Sequence, residues 1–137
     1  MNAVLSQLEI DTQDRLCIWR IGGETSLDAL RVGYAQRFEH PDWAPDLMSM
    51  SVLTRLGLGA FTPDMAVQFA DFVRQCDLDH GRTASRAAIV CGDEMARALL
   101  YYWEKKATQV LGRQERSFST EADARQWLLT GKDSRVA

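Results

Sequence analysis

Residues 87–91 read Ala-Ala-Ile-Val-Cys and stop at Gly92, an apolar run with no polar alternation. A strand of that kind has to be covered on both faces, because neither set of alternate side chains can be left in water without losing its hydrophobic free energy. The chain around it must therefore supply neighbouring strands and layers of helix. Directly after Gly92, Asp93 and Glu94 predict an N-cap and an acidic first turn. Met95, Leu99, Tyr102 and Trp103 then recur at i, i+4, i+7 and i+8, one face of a helix. Residues 87–103 thus predict half of a βα unit.

Upstream, residues 4–10 and 15–21 are two β-type runs joined by the polar Asp11-Thr12-Gln13-Asp14, which predicts an antiparallel hairpin ended by Gly22-Gly23. Thr25 or Ser26 caps a helix carrying Leu27, Leu30, Tyr34 and Phe38 on one face, closed by His40-Pro41. Residues 42–46, with Trp43, predict a surface loop, and residues 47–56 a third strand before a turn at Gly57-Leu58-Gly59. Thr62-Pro63-Asp64 starts a helix to about Asp77, with Met65, Phe69, Phe72, Val73 and Cys76 inward. After the helix that follows Gly92, with Lys105 and Lys106 complementing its dipole, residues 114–118 form a last strand. Ser119 or Thr120 caps a final helix with Ala124, Trp127 and Leu128 inward, stopped by Gly131. The order ββαβαβαβα predicts one α/β domain over residues 1–137, with a core over about 4–130 and a polar tail over 131–137. Its sheet is mixed, mostly parallel, with an N-terminal hairpin and about four helices.

A chain of 137 residues can bury a core without a metal or disulfide staple. Its net charge of −3 and scattered basic residues argue against a nucleic-acid partner. Three cysteines, Cys17, Cys76 and Cys91, show no paired spacing, and no apolar run approaches a membrane span, so a soluble cytoplasmic protein is expected. His40 precedes a proline and His80 sits in a glycine-containing loop, so neither falls in a nucleophile or metal pattern. Cys91 ends a strand before a helix start, yet Asp93 and Glu94 oppose a thiolate there. The same two acids make Gly92 a poor phosphate site. No catalytic residue, cofactor or metal is expected.

The central A-I-V-C-G-D-E-M-A-R, the closing S-F-S-T-E-A-D-A-R-Q-W-L and the upstream E-H-P-D-W resemble the SpoIIAA-like family, the STAS/Sec14-type domains of bacteria. The resemblance spans nearly the whole chain and implies a STAS-like fold and a non-catalytic role. It implies either binding of an apolar, lipid-like ligand, with a peripheral membrane contact, or partner regulation like the STAS anti-sigma factor antagonists. Two departures stand out. Where many such proteins carry an aspartate near the end of the third strand, this chain has V-L-T-R-L with Arg55; where antagonists carry a phosphoacceptor Asp-Ser-Ser-Gly, it has A-F-T-P-D. Thr62 is then the only candidate phosphoacceptor, and its capping role already accounts for it.

The helix after Gly92 carries more bulky groups than one sheet contact uses, Leu100 and Tyr101 lying off its main stripe, which predicts a second apolar contact: a cleft against the Thr62 helix or a homodimer interface. The expected ligand-binding set is Arg55, Phe61, Met65, Phe69, Met95 and Tyr101, with the Arg55 guanidinium at the rim to pair with an anionic head. The competing reading is that the aromatic and methionine side chains are plain core.

Overall fold

Two apolar clusters, one on each face of a single sheet, account for the element order. The computed structural model describes residues 5–24, 26–57 and 62–135; the side chains of Leu5, Glu24, Arg55, Leu56, Met95 and Arg97 fall outside the description. The strands are β1 (Leu5–Asp11), β2 (Leu16–Glu24), β3 (Met48–Gly57), β4 (Arg86–Val90) and β5 (Gln114–Phe118), lying side by side in sequence order. β1 pairs antiparallel with β2, and β2 through β5 are parallel. The helices are α1 (Leu27–Ala35), α2 (Pro63–Asp79), α3 (Arg97–Leu111) and α4 (Glu121–Thr130).

Strand alternation sends neighbouring residues to opposite layers. Trp19, Ile21, Ile89 and Cys91 pack under α1, α2 and α3, whereas Ile18, Met50, Val52, Ala88, Val90 and Phe118 pack against Ala124, Trp127 and Leu128 of α4. Ile89 and Val90, adjacent in β4, are 9% and 5% exposed, so the doubly covered strand expected over residues 87–91 is present. Ser26, Thr62 and Thr120 each accept a backbone N–H three residues on and cap α1, α2 and α4. After α1 the chain tightens into a 3-10 turn over Gln36–Glu39 before Pro41.

Several local expectations are corrected. Gly22-Gly23 does not end β2; the strand runs on to Glu24 through a register shift in which Gly22 pairs with Thr54 and Gly23 with Leu56, passing over Arg55. A Cβ at Gly22 would run into the Thr54 carbonyl oxygen and Gly23 has φ 84°, so the glycines serve a close approach and a bulge. Asp93 does not cap α3. Its carbonyl instead accepts the Ala96 amide in a 3-10 turn over Glu94–Ala96, and α3 begins at Arg97. The inward stripe is accordingly Ala96, Leu100, Trp103 and Ala107, two of them alanines that let the helix sit close, while Tyr102 turns out to solvent at 39% exposure. Lys105 and Lys106 lie mid-helix, since α3 continues to Leu111 and stops at Gly112 with φ 64°. α2 likewise outruns Asp77 by two residues, and Ala66 and Ala70 join Phe69 and Val73 on its buried face, leaving Met65, Phe72 and Cys76 half-buried beside them. Trp43 is half-buried with its ring edge-on to Phe38, which His80 covers from stacking distance, 3.8 Å between centroids. Residues 131–135 fold back on β5: Arg135 donates to the Ser117 carbonyl and lies over the Phe118 ring. The expected turn at Leu58-Gly59 lies outside the described residues.

Candidate functional site

The face of the sheet under α1–α3 is incompletely filled. β3 presents Ser49 and Ser51 to that face beside Ala87 and Ile89 of β4, and three small side chains in adjacent register leave space beneath the helices. The result is a cavity of about 90 Å³ walled by Trp19, Leu53, Phe69, Ile89, Leu100 and Trp103. Apart from Ser51 its walls are largely apolar, except where Arg37, Ser49, Arg113 and Glu115 close it near the start of the parallel strands.

Those four belong to a buried polar network drawn from five elements. Arg37, 2% exposed, donates through Nε to the Tyr34 carbonyl at 3.0 Å and through Nη1 to Ser49 Oγ at 2.9 Å, with its guanidinium 3.7 Å from the Tyr34 ring centre. Its Nη2 is buried without a hydrogen-bond partner. Ser49 Oγ also accepts from Arg82 Nη2 at 3.2 Å, and Asp77 takes Arg82 at 3.1 Å, Arg113 at 3.0 Å and the Tyr34 hydroxyl at 2.7 Å. Arg113 in turn holds Glu115 at 2.8 Å. Burial pushes the Glu115 carboxyl up from its ordinary range, against the pull of Arg113. Burial likewise pushes the Tyr34 hydroxyl up, Arg37 and Arg113 opposing and Asp77 adding to it, so the phenol is a neutral donor to Asp77. The network pins the C-terminal ends of α1 and α2 to β3 and β5 and also positions Arg37.

Outside this layer a second, open cleft of about 370 Å³ runs between the ends of α2 and α3, lined by Arg74, Leu78, Arg82, Gln109 and Leu111. Arg113 lines both spaces and stands between them.

The residues expected at a ligand site are only partly brought together. Phe69 lines the cavity. Met65 is half-buried on the first turn of α2 and is not among the cavity walls; Tyr101 is 58% exposed on the outer side of α3 under Lys105. Arg55 falls in β3 at the register shift, Met95 in the turn before α3, and both side chains, with all of Phe61, lie outside the described residues. Thr62 is exposed, its hydroxyl accepting the Met65 amide at 3.2 Å. The His40 ring accepts the Asp42 amide and the His80 ring meets the Cys76 carbonyl, while burial pushes the Cys17 and Cys76 thiols up. Among the described residues no cluster of three His, Cys, Asp or Glu side chains could hold a metal ion, and no helix is long and apolar enough to cross a membrane.

Sequence reasoning missed Arg37, Ser49, Asp77, Arg113 and Glu115. One signal was available: Met48-Ser49-Met50-Ser51 alternates in a strand with neighbours on both sides, so its serines must face a covered layer. Glu115 and Ser117 repeat that pattern in β5, paired with Ala87 and Ile89.

Comparison with solved structures agrees with this architecture. The chain superposes on an uncharacterised DUF3478-family protein with a SpoIIAA-like fold from Shewanella loihica PV-4, with TM-score 0.53 and 16% identity over 93% of this chain and 95% of that one. The fold is therefore SpoIIAA-like, a STAS-like α/β fold with an N-terminal hairpin and, among the described residues, four α-helices. No family model matches the sequence, and no curated protein does.

Proposed function

We propose that this chain is a non-catalytic, cytoplasmic STAS-like binding domain that holds a small amphipathic ligand between its sheet and α1–α3. The observation that carries the reading is the cavity itself: largely apolar walls that end on the buried Arg37 guanidinium, beside the buried Arg113–Glu115 ion pair, the usual composition of a small-molecule site. At about 90 Å³ it is smaller than the roughly 150 Å³ apolar cavity that accepts benzene, so the ligand is a few heavy atoms in size and an entire lipid tail is excluded from this space.

Trp19 and Trp103 line the cavity, which makes intrinsic fluorescence a direct reporter of occupancy. Titration with propanol should give a saturable change, and native mass spectrometry of gently purified protein should show a small adduct. Absence of both would remove the binding reading and leave an interaction module of the STAS type in its place. A peripheral membrane contact fits the outer side of α3, where exposed Tyr101 and Tyr102 sit beside Lys105. Flotation with anionic vesicles that is unchanged by a Y101S/Y102S variant would exclude that surface.

A further inference from the structure

Arg37 is a buried cation whose charge no carboxylate answers directly. Its Nε and Nη1 partners are a carbonyl and a hydroxyl, and among the described residues no carboxylate lies within ion-pair distance of it. The network to which Ser49 joins it holds Arg37, Arg82 and Arg113 against Asp77 and Glu115, three cations against two carboxylates, so one positive charge is left over. An uncompensated buried charge is costly, and stacking on Tyr34 offsets only part of it. Nη2, the one nitrogen of the Arg37 guanidinium without a hydrogen-bond partner among the described residues, belongs to a side chain that lines the cavity.

We infer that the polar end of the cavity is an anion subsite, and that the ligand is a short-chain monocarboxylate whose carboxylate pairs with Arg37 and whose alkyl tail lies against Trp19, Phe69 and Trp103. This deepens the binding reading above and rests on it. The leftover charge of one selects a monoanion over a phosphate dianion. The volume selects length: scaled from the roughly 150 Å³ cavity that takes the six carbons of benzene, 90 Å³ takes about four heavy atoms, a carboxylate with one carbon behind it and two at the limit, acetate or propionate. Ser49 Oγ, already accepting from Arg37 and Arg82, has its own proton free to donate, a second contact for the same carboxylate. A charge-assisted bond is about twice as strong as a neutral one, and here the cation is desolvated in advance, so the carboxylate should be preferred to its neutral isostere by tenfold or more.

The test is a fluorescence and calorimetric titration of the full chain with propionate, propionamide, propanol and sodium chloride, on wild type and on Arg37→Lys and Arg37→Met. Propionate should saturate at least tenfold tighter than propionamide, chloride should compete weakly, Arg37→Lys should keep a reduced preference and Arg37→Met should abolish it while still binding propanol. The wild-type series decides the matter even if Arg37→Met fails to fold. Propionamide or propanol binding as tightly as propionate would overturn the anion subsite and leave the binding domain standing, the result expected if water alone solvates Nη2. Chloride binding as tightly as propionate would overturn the alkyl pocket. Saturation by none of the four would sink the subsite and the binding reading together.

Discussion

Gly33→Ala sets helix propensity against packing, and the structure says which prevails. Gly33 lies inside α1, where alanine is favoured over glycine by about 1 kcal/mol. A Cβ there would sit 2.7 Å from Cζ2 and 3.2 Å from Cε2 of Trp19, and 3.0 Å from Ser6 Oγ. The indole cannot step aside easily: its Nε1 donates to Ser6 Oγ at 2.9 Å, Tyr34 and Phe69 press on its other sides, and it is 3% exposed. Overpacking costs about 1–3 kcal/mol, and a 2.7 Å contact against a pinned ring belongs at about 2–3 kcal/mol of that range. Net destabilisation of about 1–2 kcal/mol follows, a fall of roughly 3–8 °C in Tm for a domain of this size. Urea melts of wild type, Gly33→Ala, Trp19→Phe and the double variant check it. In the Trp19→Phe background the indole atoms nearest the new methyl are gone, so Gly33→Ala should become neutral or stabilising by up to about 1 kcal/mol. A Gly33→Ala protein as stable as wild type, or an equal loss in both backgrounds, would refute the assignment of this glycine to the Trp19 contact.

Thr62→Ala removes the hydroxyl that accepts the Met65 amide and should cost about 0.5–2 kcal/mol in a denaturant melt, with Thr62→Ser restoring most of it. Phe69→Ala empties a site touched by the rings of Trp19, Tyr34 and Trp103, so a loss of about 3–5 kcal/mol is expected, read as a lower denaturation midpoint. Arg113→Met strands Glu115 in the interior at a cost of about 3–5 kcal/mol near neutral pH. Its pH dependence has a definite sign: burial already raises the Glu115 pKa and Arg113 is the first influence that lowers it, so without Arg113 the native state holds the proton more tightly than the unfolded chain. The deficit of Arg113→Met relative to wild type should therefore shrink as the pH falls from 7, until Glu115 of the wild type is protonated as well, at a pH above the unfolded glutamate value of about 4.3 because burial raises its pKa too. Melts at pH 7 and pH 5 that show an equal deficit would refute this account.

What the sequence made legible is what short-range physics determines. The unbroken apolar run at 87–91 demanded cover on both faces and has it, and the hairpin needed only two β-type runs and a polar loop. Thr62 and Thr120 announce helix starts because a cap is a contact between residues three apart. The same locality explains the failures. Asp93 has the composition of a cap, but the chain leaving β4 makes a 3-10 turn before it can begin a helix, and that delay brings Ala96 and Leu100 onto the inward stripe and turns Tyr102 out, while Trp103 stays buried as expected and Leu99 is half-buried at the cavity.

The candidate site was hidden for a different reason, since it is made of charges whose partners are remote in sequence. Arg37 and Ser49 are joined to Asp77 through Arg82, and Asp77 to Glu115 through Arg113; no periodicity links such positions, and each side chain alone reads as a solvated charge at an element end. Only the sheet order puts them in one layer, because β3, β4 and β5 are parallel and therefore start at the same edge, where α1 and α2 end. A network of this kind is an expensive way to close a core unless its geometry is used, since apolar side chains of similar volume would stabilise the same space as well or better. Here Tyr34, Asp77 and Arg82 fix Arg37 and Ser49 in place, and the serines that β3 presents where larger side chains would fit keep the space in front of them open. Charge held in place and volume left unfilled are the two things a binding site needs and a core does not, which is why the cavity and the network are better explained together than either is alone.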